Sequence, residues 1–174
     1  RLELAIPAVK FLASFERPEQ AIRLLEEQRY AGEPIYNQRE LDHMIDTKRR
    51  TDIIRLVAIV TGVVVVGGSL LLLLQPAAGG ANAVWRNFWN GAQVTAVLLA
   101  VISGFILLAW DYFFTTFHEL LFPPGTWTFA YSDTLIRLFP EKFWFDVGVL
   151  LGVGTLVEAL VLGALAYVKL RRNR

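Results

Sequence analysis

Three stretches of this chain are almost unbroken runs of apolar residues: 53–74 (IIRLVAIVTGVVVVGGSLLLLL), 91–111 (GAQVTAVLLAVISGFILLAWD) and 147–168 (VGVLLGVGTLVEALVLGALAYV). Each meets the length of about 20 residues that a helix needs to cross roughly 30 Å of hydrocarbon. Glycine and β-branched residues fill much of these runs and would weaken an isolated helix in water. In lipid, however, every backbone N–H and C=O has to pair within its own segment, which leaves helix as the available state. The sequence therefore predicts an all-α integral membrane protein with three transmembrane helices. A composition that is 55% hydrophobic over 174 residues agrees with a small polytopic chain. The net charge of +1 offers no basic field to nucleic acid. With no cysteine, disulfides, thiolate metal sites and cysteine nucleophiles are excluded.

Polar residues inside the spans carry expectations of their own. Arg55, near the start of the first span, can snorkel to the interface. Glu158 sits in the middle of the third, so it should be protonated, paired or facing a cavity. Gly62, Gly67, Gly68, Ser69, Gly152, Gly154 and Gly163 are small enough to permit close helix contacts.

Three spans put residues 1–52 and 112–146 on one side of the membrane, and 75–90 and the tail 169–174 on the other. His43 and His118, the only two histidines, thus share a side whichever way the chain inserts. Charge does not choose the side. Lys169, Arg171, Arg172 and Arg174 argue for a cytoplasmic tail, while Lys48, Arg49, Arg50 and Arg55 argue equally for the other end. The chain opens on Arg1 without a charged-then-apolar leader, which is the expectation for a processed or truncated chain.

Outside the spans, residues 3–14 and 17–30 show apolar positions at helical spacing, with Pro18 suited to a first turn. AGEP at 31–34 breaks that pattern. Asn37 followed three residues later by Glu40 predicts a capping box opening a helix that runs straight into the first span. On that helix His43, Asp46 and Arg50 share a face. Asp46 could orient the His43 ring and raise its basicity, or the two could simply form a solvated polar face.

Thirteen of the 22 aromatic residues lie between Trp110 and Phe145. An interfacial belt accounts for aromatics. It does not account for FPPGTWTF, whose prolines and glycine force a defined turn. Nor does it account for YSDTLIRLFPEKFW, where Ser132 or Asp133 can cap a short helix ended by Pro140. Residues 112–146 are therefore expected as an aromatic re-entrant or interfacial loop, a lid over the helix mouths. His118-Glu119 looks like the start of a zinc-protease motif, but Leu121 and Phe122 stand where the second histidine would be. No serine nucleophile elbow or phosphate loop is present. The remaining chemistry is acid–base catalysis by two histidines, sufficient where the substrate supplies its own nucleophile.

ELDHMIDTKR ahead of a span, followed by FHELLFPPGTWTFAYSDTLIRLFPEKFWFD, resembles the bacterial lipoprotein intramolecular transacylase family over nearly the whole chain. Members have four spans, with an extracytoplasmic domain between the first and second. The resemblance implies that the first span is missing here, that the C-terminus is cytoplasmic, and that the site faces outward from a bacterial plasma membrane. It implies movement of an acyl chain from the sn-2 oxygen of a diacylglyceryl lipoprotein to the α-amine of its N-terminal cysteine, giving the lyso-form. It assigns catalysis to His43 and His118, with Asp46 supporting His43. Glu119, Asp133 and Asp146 follow as weaker supporting candidates, and Trp127, Phe122, Phe129 and Trp144 as the lipid pocket. Diacylglyceryl lipoproteins and membrane lipid are the implied partners; no metal or organic cofactor is. Two other readings stay open: a non-catalytic membrane scaffold, and a membrane metal-dependent lipid hydrolase.

Overall fold

The computed structural model describes residues 2–172, and these divide into two compact units. Of the described residues, the first comprises 2–57 and 114–146, and the second 58–113 and 147–172. The chain runs through α1 (Leu2–Ala13), α2 (Pro18–Ala21), α3 (Arg23–Glu26), β1 (Arg29–Tyr30), β2 (Glu33–Pro34), α4 (Gln38–Leu73), a 3₁₀ turn (Pro76–Ala78), α5 (Gly80–Leu108), α6 (Trp110–Leu121), α7 (Thr134–Leu138) and α8 (Glu141–Arg172). Three of these, α4, α5 and α8, are long and apolar enough to cross a membrane, as the three apolar runs predict.

The helices outrun their apolar runs. α5 begins at Gly80, so most of the stretch 75–90 is helical, and it ends at Leu108 where Ala109 leaves helical geometry (φ −146°, ψ 50°). The stretch expected as a loop from 112 instead opens as α6. Within 17–30 the chain forms two short helical turns, Pro18–Ala21 and Arg23–Glu26, and then enters β1 at Arg29–Tyr30. AGEP closes a two-residue antiparallel hairpin. Ala31 (φ 53°) and Gly32 (φ 90°) both take the left-handed conformation that such a tight hairpin requires.

In the first unit the core gathers Ala8, Phe11, Ile22, Leu25, Tyr36, Leu41, Met44 and Leu135. Two charged residues are buried with it, Glu40 and Lys48. Lys48 Nζ donates to the Ser14 carbonyl at 2.7 Å and to Asp52 at 3.3 Å. Arg55 adds bonds to the Leu12, Ala13 and Ser14 carbonyls. Cations thus collect at the C-terminal end of α1, where unsatisfied carbonyls and the helix dipole favour them. Tyr36, buried beside Glu40, has its phenol pushed up to about 12, first by loss of hydration and then by that carboxylate.

In the second unit α5 and α8 pack tightly at Gly163, where an added Cβ would lie 3.1 Å from that of Ala92. Trp89 and Tyr167 pack with centroids 5.5 Å apart in the same unit. Gly62, Gly67, Gly68, Gly152 and Gly154 face open space, so the small-residue pattern marks a close contact at Gly163 and not at these. Glu158 lines a cavity of about 620 Å³, together with Ser69, Asn87, Thr95, Thr155 and apolar side chains. That is one of the three environments expected for a mid-span carboxyl, and the cavity contains neither histidine.

Candidate active site

The capping box forms as its sequence dictates. The Glu40 amide donates to Asn37 Oδ1 at 3.0 Å, and the Asn37 amide to Glu40 Oε2 at 2.8 Å. The other carboxylate oxygen does something the motif does not announce: Oε1 accepts the Leu135 amide at 2.7 Å, at the start of α7. Around it Thr134 Oγ1 donates to the Ile35 carbonyl at 2.6 Å, and Asp133 accepts from Arg39 at 2.7 Å and from Asn37 at 3.3 Å. Asp133 occupies the expected cap position of α7, but its carboxylate serves the Ala130 amide and Arg39. These bonds hold the far end of the aromatic segment on the first turn of α4.

The near end is held two turns past His43. Arg50 Nε donates to the Leu121 carbonyl at 2.9 Å, satisfying one of the free carbonyls at the end of α6. Between the two attachments the chain turns at Pro123–Thr126. Gly125, with φ +81°, sits at the third position of that turn, and the Thr126 amide and hydroxyl both donate to the Pro123 carbonyl. Only a residue at ease with positive φ fits there. The turn delivers Trp127 to His118.

The two histidines meet through a shared phenylalanine. The Phe122 ring lies 4.8 Å from that of His43 and 5.7 Å from that of His118. Phe129 packs edge-on to His43 at 5.2 Å, and Trp127 stacks on His118 at 5.0 Å with 29° between planes. Phe114 and Phe117 complete the wall at His118. Arg39, fixed by Asp133, lies 5.3 Å from the Phe129 ring.

His118 Nδ1 lies 2.7 Å from the Phe114 carbonyl oxygen. A carbonyl only accepts, so Nδ1 carries the proton, and in the neutral ring Nε2 holds the lone pair. Among the described residues two buried polar side-chain atoms lack any partner, His43 Nδ1 and Trp127 Nε1, and both belong to this cluster. Burial pushes His43 down to about 4; the charge of His118 adds to the shift and that of Asp46 opposes it. His118 is also lowered by burial, against the raising effect of the Phe114 carbonyl. Both rings are therefore neutral at pH 7.

Of the other sequence candidates, Asp46 bonds Arg49 at 3.2 Å and reaches His43 through its charge. Asp146 pairs with Lys142 at 2.7 Å, Glu119 is exposed, and Trp144 packs on Phe139 and Phe143. Reading the sequence missed Phe114, whose carbonyl bond to His118 leaves no side-chain signal. It also missed Arg50's bond to Leu121, although Arg50 was visible on the His43 face. Among the described residues no three His, Asp or Glu side chains gather as a metal-binding group.

Helices long and apolar enough to cross a membrane define an all-α integral membrane protein, in which two imidazoles share an aromatic wall. Residues 15–144 match the family described as lipoprotein intramolecular transacylase Lit, and the chain belongs to that family. A similar protein is an uncharacterized one from Aquifex aeolicus (strain VF5), 30% identical over 130 residues, covering 75% of this chain and 52% of the relative. The chain thus spans about half the length of the curated relative it matches. No solved structure matches it.

Proposed function

We propose that this chain catalyses intramolecular O-to-N acyl transfer on diacylglyceryl lipoproteins, at the extracytoplasmic face of a bacterial plasma membrane. The observation that carries the reading is the pair of neutral histidines sharing Phe122, with the lone pair of His118 on Nε2. The α-amine of the substrate attacks the sn-2 ester carbonyl carbon, forming the N–C bond. His118 Nε2 takes the proton the amine loses, and the resulting imidazolium returns it to the glyceryl oxygen as the C–O bond breaks. Holding amine and ester together supplies the proximity contribution. Atoms are conserved, so the reaction is an isomerisation of the substrate. His43, whose ring shares Phe122 with His118, lines the same site. Aromatic rings of residues 114–129 provide the acyl-facing wall.

Mass spectrometry of the N-terminal lipopeptide of a reporter lipoprotein tests this, using bacteria that express the full-length protein. The expected product has an acyl group moved from glyceryl to amine at unchanged mass. Loss of an acyl group would point to the hydrolase, and an unaltered lipopeptide beside folded, membrane-inserted protein to the scaffold.

The pH profile gives a second expectation. Because burial lowers both histidines, acidification removes the base only below the ordinary histidine value of about 6.5. A substrate α-amine ordinarily titrates at about 7.7–8.0, and its protonated form cannot attack. kcat/KM should therefore rise with pH to about 8 and then level, with the histidine limb below the ordinary value of about 6.5. A single limb near 6.5 would show that burial does not set these rings.

A further inference from the structure

We infer that Trp127 is a catalytic hydrogen-bond donor: its Nε1–H binds the carbonyl oxygen of the substrate ester and holds it as the tetrahedral oxyanion forms. The inference rests on the transacylase reading above. The indole nitrogen is buried and has no partner among the described residues. It is a donor only, so what it lacks is an acceptor. Buried donors left unpaired are costly and uncommon, and one that persists in a site calls for an oxygen that arrives with a ligand.

The surroundings favour this assignment. Among the described residues, the rings in contact with the two histidines are Phe114, Phe117, Phe122, Phe129 and Trp127, and of these Trp127 carries a polar atom. If the wall served packing alone, a fifth phenylalanine would do. The indole lies almost parallel to the imidazole of His118, 5.0 Å between centroids, beside the ring that takes the proton. It is also fixed before substrate arrives, by the turn at Gly125 and the doubled Thr126 bonds. A preorganised donor buried among apolar rings is the arrangement that stabilises developing negative charge. In the step, the carbonyl π pair moves onto oxygen when the amine attacks. Trp127 donates a hydrogen bond to that oxygen without giving up its proton, and the pair returns as the sn-2 oxygen leaves.

The test uses the full-length enzyme, with a synthetic diacylglyceryl-cysteinyl lipopeptide carrying either an oxygen ester or a thionoester at sn-2. Trp127→Phe keeps an aromatic ring and removes the donor. Replacement of Trp127 by β-(3-benzothienyl)alanine keeps the whole bicyclic shape and removes only the N–H, so it guards against misfolding. With the oxygen ester both should lower kcat by about 10²–10³-fold at little change in KM. With the thionoester, whose sulfur is a weak acceptor, the same substitutions should cost less than about tenfold, because the bond they remove is already weak. Equal losses on both substrates would make Trp127 a packing residue. Unchanged kcat on the oxygen ester would mean that the N–H only meets water. Either result overturns the inference while wild-type transfer leaves the transacylase reading standing; absence of transfer in wild type would overturn that reading itself.

Discussion

His118→Gln should lower acyl transfer by about 10²–10⁴-fold, the range that a positioned acid–base group contributes, with no loss of helical content. Glutamine approximates the shape of the ring and can still donate toward the Phe114 carbonyl, but no amide nitrogen can accept and return a proton. His43→Gln should cost less. Its ring lies near 4, too weak a base to hold the amine's proton well, and no backbone carbonyl is placed to raise it. The double variant should be little worse than His118→Gln alone, since groups that act as one unit lose their effect together. Single-turnover rates on the synthetic lipopeptide, with circular dichroism as the control for fold, measure all three. If His43→Gln proves the more damaging, the base is His43 and the order of proton movements reverses. If His118→Gln keeps more than a tenth of wild-type rate, the proposed mechanism fails.

The largest effect on stability should come from Glu40→Ala. That carboxylate is 1% exposed and accepts two backbone amides, one in its own capping box and one from Leu135. Hydrogen bonds to a buried charged group are worth about 1.5–3 kcal/mol each, and the orphaned amides add a penalty of their own. A loss of about 3 kcal/mol or more follows, read as a fall in unfolding temperature of the purified protein. Hydrogen exchange should speed first at Leu135 and the residues of α7. Glu40→Gln, which keeps one acceptor oxygen but turns an NH₂ toward one of the amides, should fall between wild type and alanine. A variant within about 0.5 kcal/mol of wild type, the ordinary range for a surface change, would show that the clamp is dispensable.

What could be read from the sequence was what depends on neighbours within a few residues. Apolar runs located α4, α5 and α8, Asn37 with Glu40 located a helix start, and two prolines with Gly125 located a turn. Each follows from local geometry, and the structure contains each. Partner choice over distance was another matter. Spacing offered Asp46 to His43, yet Arg49 lies closer to hand and takes the carboxylate. Lys142 takes Asp146 in the same way. The bond between Glu40 and Leu135 spans 95 residues, and no pattern in either segment encodes it. The break at Ala109 was hidden too, because Trp110 and Asp111 look like a membrane-exit boundary and not like the start of another helix.

The attachments of the aromatic segment to α4 make a distinction between what moors it and what it displays. At one end Arg50 grips the carbonyl of Leu121; at the other Glu40 grips the amide of Leu135. On the segment's side these two moorings are main chain, which every residue but proline offers alike at a donor position, while Asp133 and Thr134 add side-chain bonds beside the second. The rings of Phe122 and Phe129 belong to neither mooring. On the proposed function, substitutions at Phe122 or Phe129 would reshape the acyl-facing wall while both moorings stay in register.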